Sequence, residues 1–236
     1  MADKCSASRY AVIFDVDGTL IDSVDFHARA WVDAFAAFGH SVAFDKVRRQ
    51  IGKGGDQLMP MFLSREEIEQ TGRALETHRG ALLKERYLPQ FRAFPMVREL
   101  VQRVLSDGTE VALGSSAKED ELAEYKKIAG IDDLIETETS SDDAERSKPC
   151  PDIFEAAIAK LGIADLSRIL VVGDTPYDAQ AALKAGLQTI GLRCGGWSED
   201  KLRAAGCIAV FDDPADLLAR YDASPLARLS RPLTHA

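Results

Sequence analysis

The chain is short of the features that would tie it to a membrane, a disulfide scaffold or a nucleic acid. No apolar run approaches the ~20 residues needed to cross a bilayer, and Met1 to Arg9 lack the apolar stretch of a secretory leader. Four cysteines in 236 residues (Cys5, Cys150, Cys194 and Cys207) are scattered without a CxxC pair. That spacing points away from a thiolate zinc site or a redox dithiol, and the number is too small for a disulfide framework. Basic residues are outnumbered, 29 Lys and Arg against 38 Asp and Glu, giving a net charge of −9. Without a basic footprint, non-specific nucleic-acid binding is excluded. These absences predict a reduced cytoplasmic protein with no membrane and no nucleic-acid partner. The same charge repels an anionic substrate, so a phosphate-bearing ligand requires a local cation, either a bound metal or a placed lysine.

What is present is an alternation of apolar runs and helical periodicities, with 46% of residues hydrophobic. Tyr10–Val16, Val111–Gly114 and Ile169–Gly173 read as buried strands, with weaker candidates at Leu134–Thr137, Gln188–Leu192 and Ile208–Phe211. Helical patterns at Met96–Ser106, Lys118–Ala129, Asp152–Leu161 and Tyr177–Ala185 separate them. Thr175 suits a helix cap, Pro176 a first helical position and Gly186 a helix end. Strands alternating with helices predict an α/β fold, a Rossmann-like parallel sheet with helices on both faces. The rhythm breaks between residues 25 and 89. There His27–Phe38, Asp56–Phe62 and Glu66–Tyr87 are helical in pattern and no strand is evident, which predicts an inserted all-α unit. Its hinges fall near Ile21–Val24 and Leu88–Phe94, the second marked by Pro89 and Pro95. The predicted organisation is a core of residues 1–24 and 90–236 with an insert of 25–89. The tail Ala223–Ala236 reads as poorly ordered.

In open α/β sheets ligands gather at the carboxyl ends of the strands. Asp15 and Asp17 follow the first strand, and alternation would set both side chains on one side of the chain. Two neighbouring anions suit a hard, oxygen-liking cation such as Mg²⁺ between them. Asp174 offers a third carboxylate, with Asp178 in support one helical turn on. Ser115, followed by Ser116, ends another strand within hydrogen-bonding reach of a phosphate oxygen. Lys148 sits in the stiff segment Ser-Lys-Pro-Cys-Pro, where it would neutralise charge from the other side. An EF-hand loop is excluded, because Leu20 stands where Gly is required and Phe26 where Glu is required. The set suffices for phosphoryl transfer, which depends on positioning and charge stabilisation.

The run Phe14-Asp15-Val16-Asp17-Gly18-Thr19-Leu20 resembles the first motif of the haloacid dehalogenase-like phosphohydrolases. Ser115, Lys148 and Gly173-Asp174-Thr175-Pro176-Tyr177-Asp178 resemble the second, third and fourth, in the right order. The insertion after the first motif is similar to the helical cap of phosphoglycolate phosphatases and β-phosphoglucomutases. The resemblance implies a Mg²⁺-dependent phosphatase acting on a small phosphorylated metabolite. It implies Asp15 as nucleophile, Asp17 as acid and then base, and Mg²⁺ on Asp15, Asp174 and the carbonyl of Asp17, with Asp178 supporting. It also implies Ser115, Ser116 and Lys148 on the phosphoryl group. A sugar phosphomutase is the nearest alternative. It is disfavoured by the glycine run ending at Gly55, where mutases carry Arg, and by Gly173 preceding Asp174, where they carry Glu. A phospho-accepting or purely binding domain is the alternative from another class.

In the insert, Gly52-Lys53-Gly54-Gly55 brings Lys53 and Gly54 forward as substrate contacts, since glycine lets backbone approach a ligand; the spacing of a P-loop is absent. His27 reads as a helix-surface or hinge histidine, and Arg79 as a solvated residue outside the site. Phe26, Trp31, Phe35 and Phe38 recur at helical spacing and are assigned to packing between the insert's helices. Cys150, between two prolines, is assigned no role.

Overall fold

The computed structural model describes residues 9–229. Six parallel strands form one sheet. They are β1 (Ala11–Phe14), β4 (Glu110–Gly114), β5 (Thr137–Thr139), β6 (Ile169–Gly173), β7 (Gln188–Leu192) and β8 (Cys207–Phe211), in the order β5-β4-β1-β6-β7-β8. β1 lies in the middle because both of its faces need cover: all four of its residues are buried. Phe14 is opposite Leu113 of β4 and Val172 of β6, so three strands end level with one another. The strand order reverses at β1, which is where an α/β sheet opens a crevice.

Two layers cover the sheet. Val12 and Phe14 point into a cluster with Leu100, Val104 and Leu122, from helices α6 (Val97–Ser106) and α7 (Glu119–Ala129). Ile13 and Val171 point the other way, onto Phe154 and Ala157 of α8 (Asp152–Leu161) and Ala181 of α9 (Pro176–Lys184). The predicted signals of α9 are all in use. Thr175 caps it, Pro176 opens it, and Gly186 follows its end at φ +81°.

Between two very short strands, β2 (Ile21–Asp22) and β3 (Arg92–Ala93), the chain makes only helices. These are α1 (Val24–Ala37), α2 (Phe44–Arg48), α3 (Gly55–Leu58), α4 (Arg65–Glu67) and α5 (Arg73–Leu82), with 3₁₀ and π turns completing 59–61 and 68–90. β2 and β3 pair antiparallel, so the crossings into and out of the helical insert lie side by side. The insert has its own apolar cluster, with Trp31, Phe35, Leu58 and Leu75 at its centre.

Several boundaries differ from expectation. The strand predicted at Leu134–Thr137 begins at Thr137, because Leu134 folds back in a turn onto Ile131 and packs on the core beside Ile135. Phe26 packs at the junction, 5.6 Å from Phe91 and 6.3 Å from Tyr87, rather than among the insert's helices. The tail is folded as far as the structure describes it: α12 (Pro225–Leu229) buries Leu226 and Ala227, and residues 230–236 lie outside the described residues, as does Cys5. Two further helices, α10 (Glu199–Ala204) and α11 (Pro214–Ala219), flank β8. No helix among the described residues is long and apolar enough to cross a membrane.

Candidate active site

Asp15 leaves β1 with its N–H still donating to Val172 O at 2.9 Å, so its side chain starts from a fixed point between β4 and β6. Lys148, fully buried, donates from Nζ to Asp15 Oδ1 at 2.5 Å and to Gly114 O at 2.9 Å. Asp178 Oδ1 lies 2.8 Å from the same ammonium as an ion-pair partner without hydrogen-bond alignment. The other Asp178 oxygen accepts from Thr175 N and Oγ1, while Thr175 Oγ1 accepts the Asp178 N–H, a capping box that starts α9. Asp178 thus ties the helix start to the lysine. It is more than the remote support its spacing suggested.

Thr19 Oγ1 stands 3.0 Å from both Asp15 Oδ2 and Asp174 Oδ1. One hydroxyl hydrogen serves one carboxylate at a time. Asp174 Oδ2 is buried with no partner, in a space so close that a Cβ on Gly18 would come within 2.5 Å of it.

Asp15, Asp174 and Asp178 present oxygens that all lie within 4.8 Å of one another, against the single ammonium of Lys148. The charges do not balance, and the acidities show it. Burial raises Asp15, Lys148 opposes and Asp178 adds repulsion, leaving its carboxyl at about 7 against an ordinary 3.8. Burial, then Asp15 and Asp178, push Asp174 well above the ordinary range. For Lys148, burial alone would favour the neutral amine, but Asp15 and Asp178 outweigh it and the ammonium is held more tightly than usual. A divalent cation would equalise the charge of the three carboxylates and the ammonium. The orphaned Asp174 oxygen and the all-oxygen donor set fit Mg²⁺.

Asp17 does not join this cluster. β1 ends at Phe14, so alternation no longer governs residue 17, and its carboxylate turns toward the insert. Asp17 Oδ1 accepts from Ser23 Oγ at 2.5 Å and from His27 Nε2 at 2.8 Å. Burial pushes Asp17 up, but His27, then Ser23 and Arg79, outweigh it and hold the carboxyl below its ordinary value. His27 was expected on a surface or at a hinge. It is buried rather than on a surface, packed at the hinge against Phe91 and beside Tyr125, 5.5 and 6.3 Å away, and lines the cavity. Ser23 occupies the N-cap position of α1 and spends its hydroxyl on Asp17 rather than on the helix.

A cavity of about 220 Å³ stands over Asp15 and Asp17. Its volume is below the range that holds drug-sized ligands, which suits a small substrate. Ser116, Lys53 and Gly54, expected from the sequence as substrate contacts, line it. Ser115 is buried beneath the wall, its Oγ accepting from Ala117 N at 3.1 Å. Lys53 Nζ donates to Gln50 Oε1, and partial burial lowers its pKa, making the ammonium easier to deprotonate. Arg79, expected on a solvated face, also lines the cavity. Its side chain is 15% exposed, lies over Trp31 at 5.2 Å and stands 4.0 Å from Glu121. Trp31 therefore serves both the insert's core and the cavity wall. Sequence reasoning gave Thr19 no role beyond its place in the first motif and did not single out Glu121. The position of Thr19 two residues after Asp17 was the available signal; for Glu121, at the start of α7, there was none. Cys194, given no role in the sequence, donates its thiol to Gly18 O, and burial pushes that thiol up.

The profile described as haloacid dehalogenase-like hydrolase matches residues 12–192. A crystal structure of a hydrolase from Pseudomonas syringae superposes with a TM-score of 0.83 at 32% identity, covering 91% of this chain and 99% of that one. Phosphoglycolate phosphatase of Mannheimia succiniciproducens is 29% identical over 87% of this chain and 95% of its own. The chloroplastic protein SUPPRESSOR OF QUENCHING 1 of Arabidopsis thaliana is 32% identical over 86% of this chain, which spans 19% of that protein's length.

Proposed function

The chain belongs to the haloacid dehalogenase-like hydrolase family, and on that premise we propose that it removes phosphate from a small phosphorylated metabolite, phosphoglycolate or a near relative, through a phosphorylated Asp15. The observation that carries the reading is a buried carboxylate at the base of the cavity with an ammonium 2.5 Å from one oxygen.

In the first half-reaction an Asp15 oxygen attacks phosphorus, the ester P–O bond breaks, and the leaving oxygen takes a proton from Asp17. In the second, water attacks the aspartyl phosphate and gives its proton to Asp17, which frees inorganic phosphate and restores Asp15. Lys148 fixes Asp15 and offers positive charge to the phosphoryl oxygens, with Ser115 and Ser116 as hydroxyl donors. Asp15, Asp174 and the carbonyl of Asp17 would hold Mg²⁺, with Asp178 in support; when bound, the ion neutralises phosphoryl charge. The bonds from Ser23 and His27 favour the ionised Asp17 that the second half-reaction needs. For the first, Asp17 carries the proton that the second half-reaction returns to it.

Residues 25–89 act as a cap closing over a core of 1–24 and 90–236, excluding water while phosphorus is attacked. The free thiols of Cys150, Cys194 and Cys207 accord with a reducing, cytoplasmic setting. The test is Asp15→Asn, a near-isosteric change. Turnover of p-nitrophenyl phosphate with Mg²⁺ disappears, and so does the acid-stable phosphoprotein trapped by quenching the parent. Retained turnover in that variant overturns the assignment.

A further inference from the structure

The run Gly52-Lys53-Gly54-Gly55 is pressed against the core at two points. A Cβ at Gly52, where φ is +102°, would stand 2.8 Å from Thr175 Cγ2, and one at Gly54 would stand 1.9 Å from Ser147 Oγ. Thr175 follows Asp174, and Ser147 precedes Lys148. Glycine is therefore required there for closeness as much as for conformation, and the closeness is to both segments that carry the site.

Two hydrogen bonds cross the same seam. Tyr177 Oη donates to Arg49 O at 2.6 Å, and Asp56 Oδ2 accepts the Ser147 N–H at 3.1 Å. Tyr177 is held on two sides, with Lys53 Nζ 4.7 Å above its ring and Trp197 edge-on at 6.0 Å and 84°. It stands between Asp174 and Asp178 in the chain, so a pull on its hydroxyl is felt by the turn that carries both carboxylates. The Asp56 bond is charge-assisted and acts on the residue next to Lys148.

We infer that Tyr177 and Asp56 are positioning residues, the two ends of a clasp by which the glycine loop sets the 174–178 turn and the 147–148 segment in working register when the cap is closed. The inference rests on the roles proposed for Asp15 and Lys148. Tyr177 acts through its neighbours, since the cavity is walled by other residues. Asp56 lines the cavity edge, so its variants must separate positioning from substrate contact.

The experiment combines steady-state kinetics on p-nitrophenyl phosphate with amide hydrogen exchange of the ligand-free protein. Tyr177→Phe and Asp56→Ala each lower kcat about five- to tenfold, the weight of one hydrogen bond, with KM held within about twofold. Asp56→Asn keeps an acceptor oxygen and retains most of kcat. Exchange at Ser147 quickens about tenfold in Asp56→Ala and returns toward the parent rate in Asp56→Asn. Unchanged exchange at Ser147 in Asp56→Ala means there is no clasp. Altered exchange with unchanged kcat means a clasp that positions nothing, and a rise confined to KM makes the residues substrate ligands; each result overturns the inference. Failure of the catalytic reading shows separately, as turnover surviving in Asp15→Asn while Ser147 exchange still reports the seam.

Discussion

The floor and the roof of the cavity are built by opposite rules. On the floor, Asp15 lines the cavity and Lys148, Asp174 and Asp178 lie buried with it; they come from two strand ends, one helix start and a turn, and bind mainly one another. In the roof, Lys53, Glu76 and Arg79 project from helices and a glycine loop, retain some exposure and mix both signs of charge. Burial makes the floor's charges expensive to leave unpaired, so each group there constrains the next. The roof is under no such pressure, and its side chains are free to vary with the substrate.

The comparison breaks most visibly at Asp15. Asp15→Asn removes the nucleophile, and turnover falls about a thousandfold or more while the fold survives, read by kinetics beside a melting curve. Next comes Lys148→Met, which strips the only ammonium from three buried carboxylates. Urea unfolding of the metal-free protein should show a loss of about 3 kcal/mol, on the scale of a broken buried ion pair; a neutral result means that the floor is not electrostatically strained.

The strain has a pH signature. Folded Asp15 holds its proton to about pH 7, whereas the unfolded chain releases it near 3.8. Between those values the folded state binds more protons, so its stability is greatest at the acid end and falls as pH rises. The melting temperature of metal-free protein therefore declines from about pH 5 to about pH 8, by less in Asp15→Asn, and Mg²⁺ flattens the slope by binding the ionised cluster.

At the join of floor and roof, His27→Asn removes the main group holding Asp17 low. The rising limb of the kcat–pH profile moves to higher pH. The smallest effect belongs to the roof. Arg79→Gln changes kcat/KM by about tenfold or less, differently for different phosphate esters, and leaves the urea midpoint nearly unmoved. An equal loss across all esters would place Arg79 with the floor.

The same divide explains what the sequence made legible. Phe14 before Asp15 and Gly173 before Asp174 are apolar runs ending in an acid, and parallel pairing brings such ends together whatever the surroundings. Lys148 was readable because prolines on its C-terminal side restrict its segment. His27 and Arg79 were not, since a polar residue on an amphipathic helix looks alike whether it faces water or a cavity; only packing decides. Trp31 shows the ambiguity, belonging at once to the insert's core and to the cavity wall. As far as residue 229 the tail is folded where the sequence read as poorly ordered, because prolines and weak periodicity conceal Leu226 and Ala227, which join the core cluster.

The pairing of Ile21–Asp22 with Arg92–Ala93 has a mechanical consequence. Both crossings of the chain pass through one narrow ribbon, so the helices above can swing about it like a door on a single hinge pin. His27 rides on the leaf, just past the pin, whereas Asp17 and Ser23 stay on the frame. A swing outward would part His27 from Asp17 and return a higher proton affinity to that carboxylate.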